Sequence, residues 1–278
     1  MAGESAIDGT WYNVYGSKME LWANPDNGFI IGSYSSTTGS SGTYLVLGAS
    51  QASVAQPVAG GNGFAVSLTI GWSSTSGGTR DPSWSCVSGL AGQMVVDETG
   101  AVVLSLIHQF VAPNDVPLGT GEAFEIGISS DKLIYTRTPP EGGVGTEDAV
   151  SPDLPAASGE MTTWTCVEDP SMSFEASAVS TTGFKGAFGG AYTAAGGSND
   201  LLGQADWDYP QDKAYYQAYC LSSLVEDPTS GKPMAVALAG WIDPATGLLT
   251  VLEMRSVGTT WDTRYAGVRT RGLTFRAG

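Results

Sequence analysis

The sequence predicts an all-β protein built from short antiparallel strands. Glycine supplies 38 of the 278 residues, charged residues make up only 14%, and Thr, Ser, Val, Trp and Tyr recur along the chain. These residue types favour strands joined by tight turns. No window of a dozen residues shows the 3.6-residue apolar period of a helix. The length allows one or two domains.

The opening stretch, residues 9–17, predicts a strand with an unusual polar face. Side chains alternate along a strand, so every second residue lies on the same side. That side carries Trp11, Asn13, Tyr15 and Ser17. An indole, a carboxamide, a phenol and a hydroxyl together combine apolar bulk with groups that can hydrogen-bond a small molecule. A second segment adds Tyr34 and Ser36, two residues apart and therefore on one face.

Strand and turn signals continue in order to residue 137. The first strand is predicted over residues 9–24, ended by the turn Asn24-Pro25-Asp26-Asn27-Gly28. The other strands of this half are predicted at 29–36, 44–49, 64–72, 84–96, 101–111, 121–128 and 132–137. In the strand that begins at Phe64, the alternation puts Trp72 on the apolar face. Trp72 is therefore either a pocket residue or a core aromatic.

The second half repeats the rhythm of the first. Residues 139–160 are rich in Pro, Gly and acidic residues and predict a linker. Beyond it, Thr163-Trp164-Thr165 matches Thr10-Trp11-Tyr12, and the turn and strand from Asp243 match those from Asp97. The sequence therefore predicts a tandem duplication. The expected domains are 1–138, the linker 139–160 and 161–278.

Composition excludes several classes of function. The formal charge is −16, and nucleic acid or anionic lipid needs clustered cations, so we expect neither as a partner. No run approaches the ~18 apolar residues of a membrane span. Cys86, Cys166 and Cys220 have no zinc or redox spacing and are predicted as free buried thiols. We expect no metal and no cofactor. The start of the chain lacks a signal-peptide pattern, so a cytoplasmic location is expected, with secretion after processing as the alternative.

The order Gly-Thr-Trp-Tyr-Asn at residues 9–13, Gly16-Ser17, and then Gly32-Ser33-Tyr34 with Ser36, resembles the first three strands of the avidin and streptavidin family. The resemblance is good over residues 9–48 and fair to about 137. It implies an antiparallel up-and-down eight-stranded β-barrel that holds biotin. Since one such barrel needs about 120–130 residues, the chain length suits two avidin-like barrels in tandem.

The resemblance also implies roles for individual residues. Asn13, Ser17 and Tyr34 match the three groups that meet the ureido oxygen of biotin, and Asp131 is the nearest candidate acceptor for a ureido N–H. Trp72 and Trp84 match enclosing tryptophans, while two others align with His108 or Phe110 and with Phe124. The loop that contains Ser41 matches a loop that closes over the ligand. The full predicted ligand-binding set is Asn13, Tyr15, Ser17, Tyr34, Ser36, Ser41, Trp72, Trp84, Phe110, Phe124, Asp131 and Trp261.

In the second half the polar triad is broken. Asn13 aligns with Cys166, Ser17 with the Pro170-Ser171 region, and Tyr34 with Phe188 or, less well, Tyr192. The segment 258–264 nevertheless resembles the family segment whose tryptophan crosses a subunit interface. One hypothesis is that Trp261 covers the first barrel, and the alternative is a core or dimer contact.

The predicted function is non-catalytic binding of biotin or a biotin-like molecule in the first barrel. The chain would then be a monomer that acts as a pseudo-dimer, or a homodimer. A β-barrel isomerase or cyclase acting on an apolar small molecule is an alternative, although the single histidine, His108, shares its face with Leu104 and Leu106 and fits a core position. A carbohydrate-binding defence protein that uses exposed Trp and Tyr is a third interpretation.

Overall fold

The first half of the chain closes into an eight-stranded antiparallel barrel. The computed structural model describes residues 5–35, 43–51, 56–75, 86–113, 116–117, 123–124, 126–141, 156–157, 160–180, 185–195, 197–206 and 216–278. The barrel strands are β1 Gly9–Asn13, β2 Lys18–Ala23, β3 Phe29–Ser35, β4 Thr43–Ser50, β5 Phe64–Thr75, β6 Val87–Val96, β7 Val102–Ala112 and β10 Gly127–Thr136. Each pairs with its neighbour along the chain, and β10 closes the ring on β1. Two short strands, β8 Val116–Pro117 and β9 Ala123–Phe124, pair with each other in a separate two-stranded sheet.

The second half forms another closed barrel of eight strands. They are β12 Thr162–Cys166, β13 Ser173–Ser180, β14 Ala187–Ala194, β15 Gly197–Ala205, β16 Gln217–Glu226, β17 Pro233–Ile242, β18 Leu248–Val257 and β19 Val268–Ala277. The pairing of β13 with β14 closes this ring. A 3-10 helix, Trp261–Ala266, connects β18 to β19. The described residues contain no α-helix, and the predicted fold of two antiparallel eight-stranded barrels is confirmed.

Two of the predicted strand boundaries are wrong. The strand expected over residues 9–24 is divided into β1 and β2, because the chain turns at residues 14–17, where Gly16 takes a φ of +82°. The break expected between residues 128 and 132 is absent, because Gly127–Thr136 form one continuous strand, β10. Its residues 129–132 keep their pairing with β7, so no turn interrupts it.

Most of the predicted linker lies outside the described residues. The described part of it includes a short strand, β11 Ala156–Ala157, which pairs with β13 of the second barrel. All three cysteines are buried thiols outside any disulfide, as predicted. No helix in the described part of the chain has the length and apolarity needed to cross a membrane.

Each barrel has two different ends. We call the end that carries the β1–β2 turn the mouth of the first barrel, and the end that carries the turns at residues 24–28 and 97–100 its base. In the second barrel, the mouth carries the β12–β13 turn, the turn at residues 227–232 and the 3-10 helix. These assignments follow from the up-and-down strand order.

The two barrels pack side against side through β4–β7 and β15–β18. Small and aliphatic side chains fill this contact, for example Ala91 against Ala237 and Met254. Buried polar groups join it as well, since Ser67 Oγ and Ser222 Oγ are 2.6 Å apart. The 3-10 helix at the mouth of the second barrel thereby reaches the base of the first, where Trp261 Nε1 donates to Glu98 at 3.3 Å. The barrels therefore lie head to tail.

Candidate functional site

The β1–β2 turn fixes the amide of Asn13 at the mouth of the first barrel. Asn13 is only 3% exposed, and its Oδ1 accepts the backbone N–H groups of Tyr15 and Ser17, both at 3.0 Å. The positive φ of Gly16 allows the chain to fold back so tightly. Because the backbone of the turn occupies the carboxamide oxygen, the Nδ2 group is left to donate toward the barrel interior.

Two phenols lie beside Asn13 inside the barrel. Burial raises the pKa of the Tyr34 hydroxyl, while Ser17, Tyr135 and Asn13 lower it in part, which places all four groups together. The Tyr135 side chain is fully buried, and burial followed by the nearby Tyr34 raises its pKa well above the ordinary value. Asn13 and Tyr34 lie near enough to the Tyr135 hydroxyl to affect its pKa, but within the described part of the chain this hydroxyl has no hydrogen bond of suitable length and angle. A small buried polar cluster thus retains unused hydrogen-bonding capacity.

Trp72 forms the aromatic wall next to this cluster. Its ring centroid lies 5.4 Å from that of Tyr34, 5.0 Å from Tyr44 and 6.2 Å from Phe110. The edge-to-face and tilted arrangements of these rings are those that aromatic pairs prefer. Trp72 and Phe110 were predicted as enclosing residues, and the structure brings them to the same interior as Tyr34.

Ser88 connects Trp72 to the single histidine. Its hydroxyl accepts the Trp72 indole N–H at 2.8 Å and lies 2.7 Å from His108 Nε2. Burial lowers the pKa of His108 to about 4, against the opposing effect of Asp131, so the imidazole is neutral at pH 7. A neutral Nε2 can accept the Ser88 proton, so the Ser88 hydroxyl accepts from Trp72 and donates to His108. His108 is therefore a hydrogen-bonded interior residue.

Asp131 lies opposite His108 on the neighbouring strand, closer to the mouth than Tyr135. Leu133 and Tyr135 follow at two-residue intervals and are buried in the core, so Asp131 shares their inward face. Its carboxylate is exposed, and one oxygen accepts the Lys132 N–H at 2.6 Å. The other oxygen can accept a hydrogen bond from a bound molecule.

The structure does not bring every predicted residue to this site. Tyr15 is 56% exposed in the β1–β2 turn, so the predicted common face ends at Asn13, where the strand ends. Trp261 lies at the base of the first barrel rather than at its mouth, because the two barrels lie head to tail. Outside the described residues lie Ser36, Ser41 and Trp84, together with the side chain of Phe124.

Three residues of the site were not in the predicted set. Tyr44, Ser88 and Tyr135 lie beside the predicted ones. Tyr135 could have been found by counting in twos from Asp131 along the last strand. Ser88 could not have been found, because the sequence does not show whether a serine inside an apolar strand hydrogen-bonds to two neighbouring side chains or to none.

The register of the strands shows which residues stand at the same positions in the second barrel. Asn13 N–H donates to the Ser17 carbonyl at 3.1 Å, and Cys166 N–H donates to the Met172 carbonyl at 2.9 Å. Cys166 therefore occupies the position equivalent to Asn13, as the sequence alignment predicted. Met172 occupies the position equivalent to Ser17, one residue beyond the Pro170-Ser171 region that was expected.

Pairing settles the position of the second phenol too. Met19 pairs with Tyr34 in the first barrel, and Phe174 pairs with Tyr192 in the second. Tyr192 thus occupies the position equivalent to Tyr34, rather than Phe188, which the sequence alignment favoured. Its hydroxyl donates to Glu253 at 2.9 Å, so the donor set of the first barrel is not reproduced.

Neither barrel offers a metal site within the described residues, where no three His, Cys, Asp or Glu side chains cluster suitably. No curated protein matches the chain. The family model that does match is that of the Avidin family, over residues 1–117. This range covers β1–β7 of the first barrel, including Asn13, Ser17, Tyr34 and Trp72. The first barrel therefore matches the Avidin family over these residues, and the two barrels together agree with a tandem avidin-like protein.

Proposed function

We propose that the first barrel binds biotin or a biotin-like cyclic urea at its mouth and catalyses no reaction. The observation that carries the proposal is the buried cluster of Asn13, Ser17, Tyr34 and Tyr135 inside an apolar barrel. A buried hydroxyl without a partner costs about 1–3 kcal/mol. A ligand that hydrogen-bonds to this cluster would recover that free energy.

A cyclic urea fits the chemistry of the cluster. Its carbonyl oxygen carries considerable negative charge, and neutral donors fixed in advance stabilise such an oxygen where water is excluded. The Asn13 amide, the Ser17 hydroxyl and the Tyr34 phenol each supply one donor. The free oxygen of Asp131 would accept a urea N–H.

The apolar part of the ligand would pack against Trp72 and Phe110. Large aromatic side chains contribute a few kcal/mol each through burial. Where the family resemblance implies further tryptophans, this chain has His108 or Phe110 and Phe124. We therefore expect this chain to bind biotin more weakly than the family members with the highest affinity do. A picomolar affinity would contradict that expectation.

Titration calorimetry with biotin tests the proposal. The intact protein should bind one biotin per chain, and Asn13→Ala and Tyr34→Phe should each weaken binding about tenfold or more, since each removes a buried donor. Tyr192→Phe is the matched control, because it makes the same change at the equivalent position of the second barrel. It should leave the biotin affinity unchanged.

Two outcomes would overturn the proposal. One is the absence of both heat and thermal stabilisation with biotin. The other is equal weakening by Tyr34→Phe and Tyr192→Phe, which would place the ligand outside the first barrel. Circular dichroism of each variant confirms that the barrels remain folded.

The packing within one chain supports a monomer that acts as its own pseudo-dimer. The two barrels already bury β4–β7 against β15–β18, and polar bonds such as Ser67 to Ser222 are satisfied inside the chain. Sedimentation equilibrium should give the mass of one chain, and a dimer mass at micromolar concentration would favour the homodimer.

A further inference from the structure

The mouth of the second barrel opens into a cavity of about 720 Å³ with basic walls. Four cationic side chains line it, namely Lys232, Arg255, Arg269 and Arg271. The whole chain has only 12 Lys and Arg residues against 28 Asp and Glu. A third of all the cations therefore lie around one cavity of a strongly acidic protein.

The carboxylates of the cavity do not balance this charge. Among the described residues that line it, Glu253 and Asp227 are the only carboxylates, so four cations face two anions and leave a net charge of +2. Asp227 is engaged by its own turn, where it accepts the Ser230 hydroxyl and, at 3.3 Å, the Thr229 N–H.

Glu253 is fully buried and already has three partners. It accepts the Tyr192 hydroxyl at 2.9 Å and Arg255 Nη2 at 3.0 Å, and Arg271 pairs with its other oxygen. One carboxylate thus holds two guanidinium groups in place at the wall of the cavity, and Arg271 Nη2 also donates to Met172 Sδ at 3.1 Å.

The strand register adds an unusual pair. Arg255 on β18 lies directly opposite Arg269 on β19, and Glu253 lies opposite Arg271. Like charges directly opposite each other destabilise a sheet. Within the described part of the chain Arg269 has no carboxylate within ion-pair distance, and its charge contributes only the weakest of the effects that lower the pKa of Asp227. An anion held between Arg255 and Arg269 would relieve this repulsion.

The same positions in the first barrel carry no such charge. Counting from the equivalent pairs Leu106–Leu133 and Val251–Leu273, the glutamate and the three arginines replace four first-barrel residues. Glu253 takes the position of His108, and Arg255 takes that of Phe110. On the neighbouring strand, Arg269 takes the position of Ser129, and Arg271 takes that of Asp131. The second barrel thus presents cations where the first presents neutral groups and one carboxylate.

The interior beneath this cavity is filled with aromatic rings. Phe275 stands at the position of Tyr135, and its ring lies 5.2 Å from Phe174, which stacks on Trp164 at 5.9 Å. A ligand of the second barrel would therefore stay at the mouth, against the arginines, rather than enter the barrel.

We propose that the mouth of the second barrel binds a small organic dianion, a dicarboxylate or a phosphate ester, between Arg255, Arg269 and Arg271. The planar guanidinium fork matches the paired oxygens of both groups. The net charge of +2 favours two negative charges on the ligand. This site is separate from the biotin site and does not depend on it.

Calorimetric titrations with succinate and with inorganic phosphate, at constant ionic strength set with sodium chloride, test this site. At least one probe should bind saturably with one site per chain, and the tighter of the two identifies the preferred oxyanion. Arg269→Gln should weaken binding about tenfold or more, since it removes a charged donor. Arg276→Gln makes the same change on the outer face of β19, near the base, and should bind like the unchanged protein.

A stability measurement separates loss of the site from loss of the fold. Without anion, Arg269→Gln should unfold at the same or a higher temperature than the unchanged protein, because the repulsion with Arg255 is removed. With anion, only the unchanged protein and Arg276→Gln should gain stability. The proposal is overturned if neither probe binds beyond the effect of chloride, or if Arg276→Gln weakens binding as much as Arg269→Gln.

Discussion

His108 shows how one partly buried residue links the site to stability. It is the only histidine of the chain, and its Nε2 lies 2.7 Å from Ser88 Oγ inside the first barrel. Burial lowers its pKa to about 4, whereas an unfolded chain protonates histidine near an ordinary pKa of about 6.5. Between these two values the unfolded state binds a proton that the folded state does not.

Stability should therefore depend on pH through this residue. Its contribution is complete above pH 6.5 and is lost as the pH falls from about 6.5 toward 4, by at most about 3 kcal/mol. Urea unfolding at pH 7.5, 6, 5 and 4.5 measures the loss. His108→Gln is the control, because the carboxylates titrate in both proteins and the difference isolates the histidine. Parallel curves for the two proteins would show that His108 is not held neutral.

At the scale of elements, the β1–β2 turn positions the donor that the proposed ligand needs. Gly16 has a φ of +82°, and Gly100, in the turn at the base of the same barrel, has a φ of +85°. Residues other than glycine rarely adopt a positive φ, so alanine at either position should lower the free energy of unfolding by about 1 kcal/mol. Only the first of the two turns holds Asn13.

Gly16→Ala and Gly100→Ala should thus separate the two effects. Both variants should unfold at lower urea concentration by a similar amount. Gly16→Ala should also weaken biotin binding several-fold, because the turn whose N–H groups hold Asn13 Oδ1 is strained. Gly100→Ala should bind biotin normally. Equal affinities for the two variants would mean that the turn does not position Asn13.

The sequence predicted the strands well where apolar and polar residues alternate regularly. It predicted them less well where the pairing between strands determines a strand's end or a residue's position. Residues 64–72 alternate cleanly, and Trp72 was placed on the inward face. Alternation alone could not show that the polar strand turns after Asn13, so Tyr15 was grouped wrongly. Tyr192 was passed over for Phe188, because one sequence does not reveal which residue pairs with Phe174.

At the scale of the whole molecule, contacts between distant segments decide what the sequence could not. Trp261 resembled a residue that crosses an interface, and it does contact the other barrel. It does so at Glu98, at the base, because the barrels lie head to tail. The arginines of β18 and β19 meet only through strand register, so their pairing was not visible along the chain.

Gln204 of the second barrel connects this packing to the first-barrel site. It is buried, its Oε1 accepts the Gly71 N–H at 3.1 Å, and its Nε2 donates to the carbonyls of Leu45 and Thr69, both at 3.1 Å. Gly71 immediately precedes Trp72, the centre of the aromatic wall. The second barrel therefore holds the backbone beside the proposed ligand.

Gln204→Ala should lower both the stability of the protein and its biotin affinity. The change leaves the buried Gly71 N–H unpaired, at about 1–3 kcal/mol, and frees the backbone at Trp72. Ser222→Ala is the matched control, since it removes the 2.6 Å contact with Ser67 but no group next to Trp72. It should lower the unfolding temperature and leave affinity and the near-UV dichroism of the tryptophans unchanged. If Gln204→Ala also spares affinity and dichroism, the two barrels share stability without sharing the site.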